Sequence, residues 1–412
     1  MDVTNYRLIP VRRIVNYFLL LILFSSVLVP SIENVDLGFI QLRSLEPHDV
    51  LPVVVAMLLL GAASLGAKNV VHPGLGVRLA IAWTGWMWMS TLVNLAQLND
   101  LLAAIKLTCF AILMFATSVS VKDHQTLEAY LRLYRLLGVI AASVAILQQL
   151  ARVGVAYLIP FDQLIERLYP SPAGNLWSRP GSVFEGSPNA LGSFLMATAM
   201  ISIGLYLQDR KLMSLLAIFV QTAGLVVTRS NGSVLAMLVS VGWLIWSSRR
   251  KHVLILVLVL LVWLLAGFAV LDWIGPGLIE RMLVFSSASA DTRIVLWRTV
   301  LQHFAPTATS LVFGRGQLTT FFGYDEYGRR LGEFSLIDNG YLNLFVRYGI
   351  PGLLMFLAIM YSLYRSSAAV WRTERTKLGV TAMSLGGLLV GYLVQAFSGD
   401  WLPPAGKQGY SV

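Results

Sequence analysis

Val253–Leu271 reads VLILVLVLLVWLLAGFAVL, nineteen residues without a charge. As a helix it covers the hydrocarbon core of a bilayer, which is about 30 Å thick. Apolar runs of similar length lie near 14–30, 50–66, 78–96, 101–121, 135–154, 188–207, 212–228, 231–247, 341–363 and 378–398. The chain of 412 residues is 57% hydrophobic and 13% charged, outside the range of soluble domains. The alternating pattern of a transmembrane barrel is absent. The fold class expected is therefore all-α: one polytopic transmembrane helical bundle over residues 1–412, with about 11–12 spans.

Two runs need a decision. The first follows Arg7, Arg12 and Arg13 like a signal peptide, yet no small-residue cleavage site follows Pro30 and more spans come after it, so it is read as a helix. The run over 212–247 is interrupted by Thr228-Arg229-Ser230-Asn231-Gly232, read as a tight turn at the outer surface. The single cysteine, Cys109, sits inside an apolar run, so neither a disulfide framework nor a cysteine metal site is expected.

Orientation follows from the basic residues. With the N-terminus inside, the short inner connections carry Arg7, Arg12, Arg13, Lys68, Arg78, Lys122, Arg132, Arg135, Arg210, Lys211, Arg249, Arg250, Lys251, Arg365, Arg372, Arg375 and Lys377. The outer segments are basic in another way: Arg43, Arg152, Arg167, Arg179, Arg229, Arg281, Arg293, Arg298, Arg315, Arg329, Arg330 and Arg347 are all arginine, with Lys407 only in the tail. Topology does not explain that choice. The planar guanidinium fork grips phosphate or carboxylate through paired hydrogen bonds, so the outer face points to an anionic ligand. The plainer reading is headgroup contact and ion pairs with Glu280, Asp291, Asp325, Glu326 and Glu333. The net charge of +10 says little beyond membrane insertion, and loops outside the membrane exclude nucleic acid as a partner.

Two outer segments are long enough to build a chamber. In the first, 155–187, Phe161, Leu164, Ile165 and Leu168 fall at helical spacing opposite Asp162, Gln163, Glu166 and Arg167, which predicts a short amphipathic helix on the bilayer surface or an ordinary packed loop helix. The second, 272–337, holds a helical stretch from Asp291 to Phe304 and a turn at Gly314-Arg315-Gly316. Loops of that length in a compact protein are usually functional. It leads into FSLIDNGYLNLFVRYGIPGLLMF, Phe334–Phe356, where Asp338, Asn339, Tyr341 and Arg347 sit at a membrane boundary, a costly place for polar groups.

Arg179-Pro-Gly-Ser-Val-Phe-Glu-Gly-Ser-Pro-Asn189-Ala-Leu-Gly192 resembles the Arg-then-Pro-Asn-x-x-Gly helix start of the O-antigen polymerase and O-antigen ligase superfamily. Thr228-Arg-Ser-Asn-Gly-Ser-Val-Leu235 is similar to its Thr-x-Ser-Arg-Gly turn, with Asn231 where arginine is usual and Arg229 as its substitute. Asp291-Thr-Arg293 with Trp297 resembles its Arg-x-x-x-Trp segment, Phe313-Gly-Arg-Gly316 its Gly-x-Gly turn, and Asp338-Asn-Gly-Tyr-Leu342 through Gly352 its loop exit. The resemblance covers roughly 175–365.

It implies a bacterial plasma (inner) membrane glycosyltransferase, multi-pass, with its active site on the periplasmic face. Such enzymes move a glycan from an undecaprenyl pyrophosphate carrier to a lipid-linked acceptor glycan, without cofactor or metal. A chain-length regulator protein is a further implied partner beside the lipid bilayer. Arg179, Arg229, Arg293, Arg298 and Arg315 are candidates for the pyrophosphate. Asn189, Asn231, Trp297, Asn339 and Tyr341 are candidates for glycan contact or for organising the loops. Guanidinium groups fixed at the surface would stabilise the charge growing on the leaving phosphate. The acceptor hydroxyl needs a base within hydrogen-bond reach. Asp338 is the first candidate, Glu185 the second and His303 the third. Asp338 also suits the N-cap of the following helix. Ligases of this superfamily carry histidine where Asp338 stands, which favours a polysaccharide polymerase over a ligase. A transporter of lipid-linked glycan would need charges along a path through the bilayer, and the spans hold few, chiefly Lys106. Eleven spans put the tail after Asp400 outside, whereas the superfamily often has an even number.

Overall fold

The computed structural model describes residues 74–95, 98–121, 123–152, 155–168, 188–248, 293–302, 307–316, 339–374 and 377–398, with the short pieces 15–17, 19–21, 32–36, 41–45, 263, 304, 321–324 and 330–334. Helices dominate: α1 (Leu75–Val93), α2 (Leu98–Ser120), α3 (His124–Arg152), α4 (Ile159–Leu168), α5 (Pro188–Asp209), α6 (Leu212–Val227), α7 (Asn231–Ser248), α8 (293–302), α9 (Ala308–Phe313), α10 (Gly340–Thr373) and α11 (Lys377–Ser398). Five of them, α3, α5, α7, α10 and α11, are long and apolar enough to cross a membrane, and α6 is apolar but shorter. The chain is an all-α, multi-pass membrane protein. The span expected near 50–66 lies outside the described residues. Of those near 14–30 and 253–271, only 15–17, 19–21 and Trp263 are described, and all are helical.

Two small antiparallel hairpins stand apart from the helical pattern. One pairs β1 (Ile32–Asp36) with β2 (Gln41–Leu45). The other pairs β3 (Phe321–Tyr324) with β4 (Arg330–Phe334), with Phe321 opposite Phe334. None of the four strands, IENVD, QLRSL, FFGY and RLGEF, alternates apolar and polar residues, so no period-two pattern announces them.

The chain forms two compact units, one from 1–130, 297–362 and 402–412, the other from 131–296 and 363–401. In the second unit α5 is central. Every residue from Leu195 to Leu205 is buried, which suits a helix that is apolar on all sides. Apolar chains gain little by leaving lipid for protein, so close packing and internal hydrogen bonds hold such helices together. A Cβ on Gly224 of α6 would stand 2.6 Å from the Ala142 Cβ of α3. Gln221 of α6, fully buried, accepts from the Ser202 hydroxyl of α5 at 2.8 Å and donates to the Arg135 carbonyl of α3 at 2.9 Å. Trp243 of α7 meets Tyr364 and Trp371 edge-on.

In the first unit, α10 bends at Gly349, whose φ is 70°. Pro351 has no N–H, so the Arg347 carbonyl loses its ordinary helical partner. In hydrocarbon each orphaned group would cost several kcal/mol. Neighbouring segments supply the donors. Arg315 N–H donates to the Val346 carbonyl at 2.7 Å and Gly316 N–H to Arg347 at 3.2 Å. The Ser90 hydroxyl of α1 reaches the carbonyls of Arg347 and Phe313. Trp86 Nε1 donates to the Tyr348 carbonyl at 2.9 Å, and Trp83 Nε1 to Gly352 at 3.0 Å. The kink is thus a docking point for α1 and for the turn after α9.

Candidate functional site

In the second unit, two of the motifs singled out in the sequence meet. Pro188 opens α5, and Gly192, one turn in, faces the turn between α6 and α7: a Cβ there would lie 2.6 Å from Ser230 Cβ and 2.8 Å from Ser233 Oγ. The turn is held from within. The Thr228 hydroxyl donates to the Leu225 carbonyl at 2.7 Å and accepts from Ser230 N–H at 3.2 Å. Ser230 Oγ lies 3.4 Å from Asn189 Oδ1 and 2.9 Å from Ser233 Oγ. Gln395, from α11, donates to Ser233 Oγ at 2.7 Å and to Ser193 Oγ.

Arg229 occupies this turn with φ 53°, in the left-handed region. For a residue with a Cβ that conformation costs about 1–3 kcal/mol, and it persists only where the surroundings impose it. The guanidinium is half-buried, and no described carboxylate pairs with it. Burial first, and the charge of Arg152 second, pull its pKa below the ordinary arginine value, although it stays a cation. Arg152, in the last turn of α3, is itself paired with Asp162 in the first turn of α4, Nη2 to Oδ1 at 3.2 Å. Each charge of that pair complements its own helix end. Arg229 is therefore a strained, partly desolvated cation next to a cation already neutralised. An anion arriving there would relieve an existing electrostatic cost.

The first unit assembles a second group. The Arg315 guanidinium lies 5.5 Å from the ring centroid of Phe304, which packs on Phe345 of α10 at 4.8 Å. Gly314, with φ 73°, presses this turn against Arg347 at the kink, and Gly316, with φ 85°, lies against Asn94 at the end of α1. Asn339 is the N-cap of α10: its Oδ1 accepts from Leu342 N–H at 3.0 Å. The capping role open to Asp338 thus falls to its neighbour. Tyr341, one residue into the helix, is half-buried. On α8, Trp297 is half-buried and Arg298 exposed, while Arg293, half-buried at the start of the helix, belongs to the second unit. Asn231 is exposed at the start of α7. Asp338, Glu185, His303 and Arg179 lie outside the described residues.

The sequence reading missed Gln395, Ser193, Ser233 and the pairing of Arg152. One signal was present: Ser384, Gly387, Gly391 and Gln395 recur every three or four residues along one face of α11. Among the described residues, no three His, Cys, Asp or Glu side chains come together to hold a metal.

Residues 212–357 match the family model described as O-antigen ligase. The matched segment is about a third of the chain and runs from α6 through the kink of α10. It contains the Arg229 turn, α8, the Gly-x-Gly turn and the Asn339 cap. Asn189, Ser193 and Gln395 lie outside it, yet they hold its first turn in place. No curated protein matches the chain. The O-antigen ligase match, together with the apolar helices, is consistent with the O-antigen polymerase and ligase superfamily and supports a glycosyltransferase-like membrane enzyme with lipid-linked glycan substrates.

Proposed function

We propose that the protein polymerises undecaprenyl-pyrophosphate-linked oligosaccharide repeat units at the periplasmic face of the inner membrane. The observation that carries this reading is Arg229: a half-buried guanidinium, held in a strained turn, with no described carboxylate on it. A lipid pyrophosphate is an anion delivered at the membrane surface, and it suits such a cation.

In the reaction the acceptor hydroxyl oxygen bonds to the anomeric carbon of the donor glycan. The bond from that carbon to the pyrophosphate oxygen breaks, and its electron pair leaves with the lipid pyrophosphate. Arg229, fixed before the donor arrives, stabilises the growing negative charge without reorganising. Arg179 and Arg293 are proposed as its companions; Arg298 and Arg315 stay candidates from the resemblance. A general base takes the hydroxyl proton: the Asp338 carboxylate first, then the Glu185 carboxylate, then the His303 imidazole. The test is Arg229→Lys, which keeps the charge but loses the fork. Cells carrying it should retain the protein in the membrane and lose long polymer, and unchanged polymer would refute the reading.

The O-antigen ligase description of the matched segment favours a second reading, transfer of a finished lipid-linked chain to lipid A–core. The glycolipids of an inactive variant separate the two. Loss of a polymerase leaves single repeats, whereas loss of a ligase leaves long chains on the carrier. Aspartate at 338, where the superfamily's ligases carry histidine, supports the polymerase.

A further inference from the structure

The polar groups beneath the Arg229 turn form one directed circuit. Gln395 has two amide hydrogens, which go to Ser193 Oγ and Ser233 Oγ. Each serine then passes a hydrogen bond onward. Ser193 donates to the Asn189 carbonyl at 2.9 Å. Ser233 donates to Ser230, and Ser230 to Asn189 Oδ1. This assignment uses each of the three hydroxyl protons once. Both branches begin at Gln395 and end on Asn189, so one side chain of α11 holds the start of α5 and the Arg229 turn together.

Gln395, Ser230 and Ser233 are buried among membrane-spanning helices. Polar groups there are costly, and those that persist are usually functional. The helices are shaped to admit the circuit. Gly391, one turn before Gln395, sits where a Cβ would lie 3.0 Å from the Ala236 carbonyl of α7, and Gly387, a further turn back, faces Met200 of α5 and the Ser240 carbonyl of α7. Ser384 on the same face donates to the Met200 carbonyl. The close approach of α11 brings an amide of fixed length to two serines on different helices. Ser230, which links Ser233 to Asn189 in that branch, directly follows Arg229 in the chain.

We infer that Gln395 is a positioning residue for Arg229, setting the turn that aims its guanidinium at the anion while itself touching no substrate. This rests on the proposed anion role of Arg229. Its structural half, that α11 sets the turn, is testable separately.

Gln395→Met keeps the volume and removes both donors. It should leave the protein in the membrane and lower polymer about tenfold, the scale of coupling between neighbours in one network. Adding Ser193→Ala and Ser233→Ala removes the stranded partners, which should restore thermal stability, since deleting both sides of a hydrogen bond is nearly neutral. Polymer should stay low in that triple variant; its recovery would show a purely structural role and overturn the inference.

The turn itself can be read without activity. Arg229→Cys, labelled with a membrane-impermeant thiol reagent in proteoliposomes, should change its reaction rate severalfold when Gln395→Met is added. An unchanged rate refutes positioning. If Arg229→Ala leaves polymer normal, the anion reading fails instead, and the labelling rate alone decides whether Gln395 sets the turn.

Discussion

Gly314 and Arg347 touch backbone to backbone: a Cβ on Gly314 would overlap the Arg347 carbonyl. The glycine also holds φ 73°, which an L side chain rarely adopts. Gly349 repeats the relationship from the other side, where a Cβ would lie 2.6 Å from the Leu311 carbonyl. The turn after α9 and the kink of α10 are thus shaped to one another. Gly314→Ala combines strain with overlap and should destabilise by about 3 kcal/mol or more. Gly85→Ala, with nothing within 4 Å of the new methyl, should be neutral or slightly stabilising. Thermal unfolding of the two purified variants, read by fluorescence, checks the contrast.

The donors that satisfy the kink can be removed singly. Ser90→Ala should cost about 1–2 kcal/mol, because the Arg347 and Phe313 carbonyls lose a shared donor. Trp86→Phe keeps an aromatic ring facing Phe313, which Trp86 stacks on at 5.2 Å, but drops the bond to the Tyr348 carbonyl. A similar loss is expected. Midpoints of thermal unfolding, compared with those of Trp88→Phe, whose bond to Thr108 lies away from the kink, report the effect.

Arg229→Gly should raise stability and abolish activity together. Glycine takes φ 53° without strain, and a half-buried charge disappears, for a gain of about 1 kcal/mol. Unfolding midpoint and polymer yield, measured on the same variant, should move in opposite directions, as expected where function is held in a strained residue.

Asn339 and Asp338 separate capping from chemistry. Asn339→Ala should cost about 1 kcal/mol by removing the acceptor for Leu342 N–H. Asp338→Asn leaves that cap intact and, on the proposed reading, stops polymer formation at unchanged stability. Equal destabilisation by both would assign Asp338 to structure.

Asp123 caps the start of α3 by accepting from Thr126 N–H and Oγ–H, both at 2.7 Å. The backbone bond, then the hydroxyl bond, lowers its pKa below 3.8. A carboxylate depressed in the folded state stabilises fully above its unfolded value and loses that contribution as pH falls through the folded one. The cap should therefore hold at pH 5 and above and weaken below about pH 4. Asp123→Asn keeps an acceptor but cannot titrate, so its stability should lack this acid-side loss in a pH series of melting curves.

Hydropathy alone placed the described spanning helices α3, α5, α7, α10 and α11, since an apolar run in lipid must shield its backbone by forming a helix. The turn at Thr228–Ser230 was legible because polar residues interrupt an apolar run. Gly314 and Gly316 were legible as a turn, because glycine is the residue that enters left-handed backbone freely. The contribution of Arg229 was half visible: its residue type and place could be read, its strain could not. The two hairpins escaped because none of their strands alternates apolar with polar residues.

The partners of Gln395 belong to a different category. Hydropathy is one-dimensional and tells which segments enter the membrane, while lateral order among helices depends on how small residues and hydrogen bonds fit across the bundle. Ser193, Ser233 and Gln395 read as unremarkable polar residues within three separate spans until α11 packs between α5 and α7. The same holds for Ser90 and the Arg347 carbonyl, far apart in sequence and joined only by the kink. The residue types and the membrane were settled by the chain itself. Which buried donor meets which acceptor was decided by packing, because in lipid an unpaired polar group has no water to fall back on.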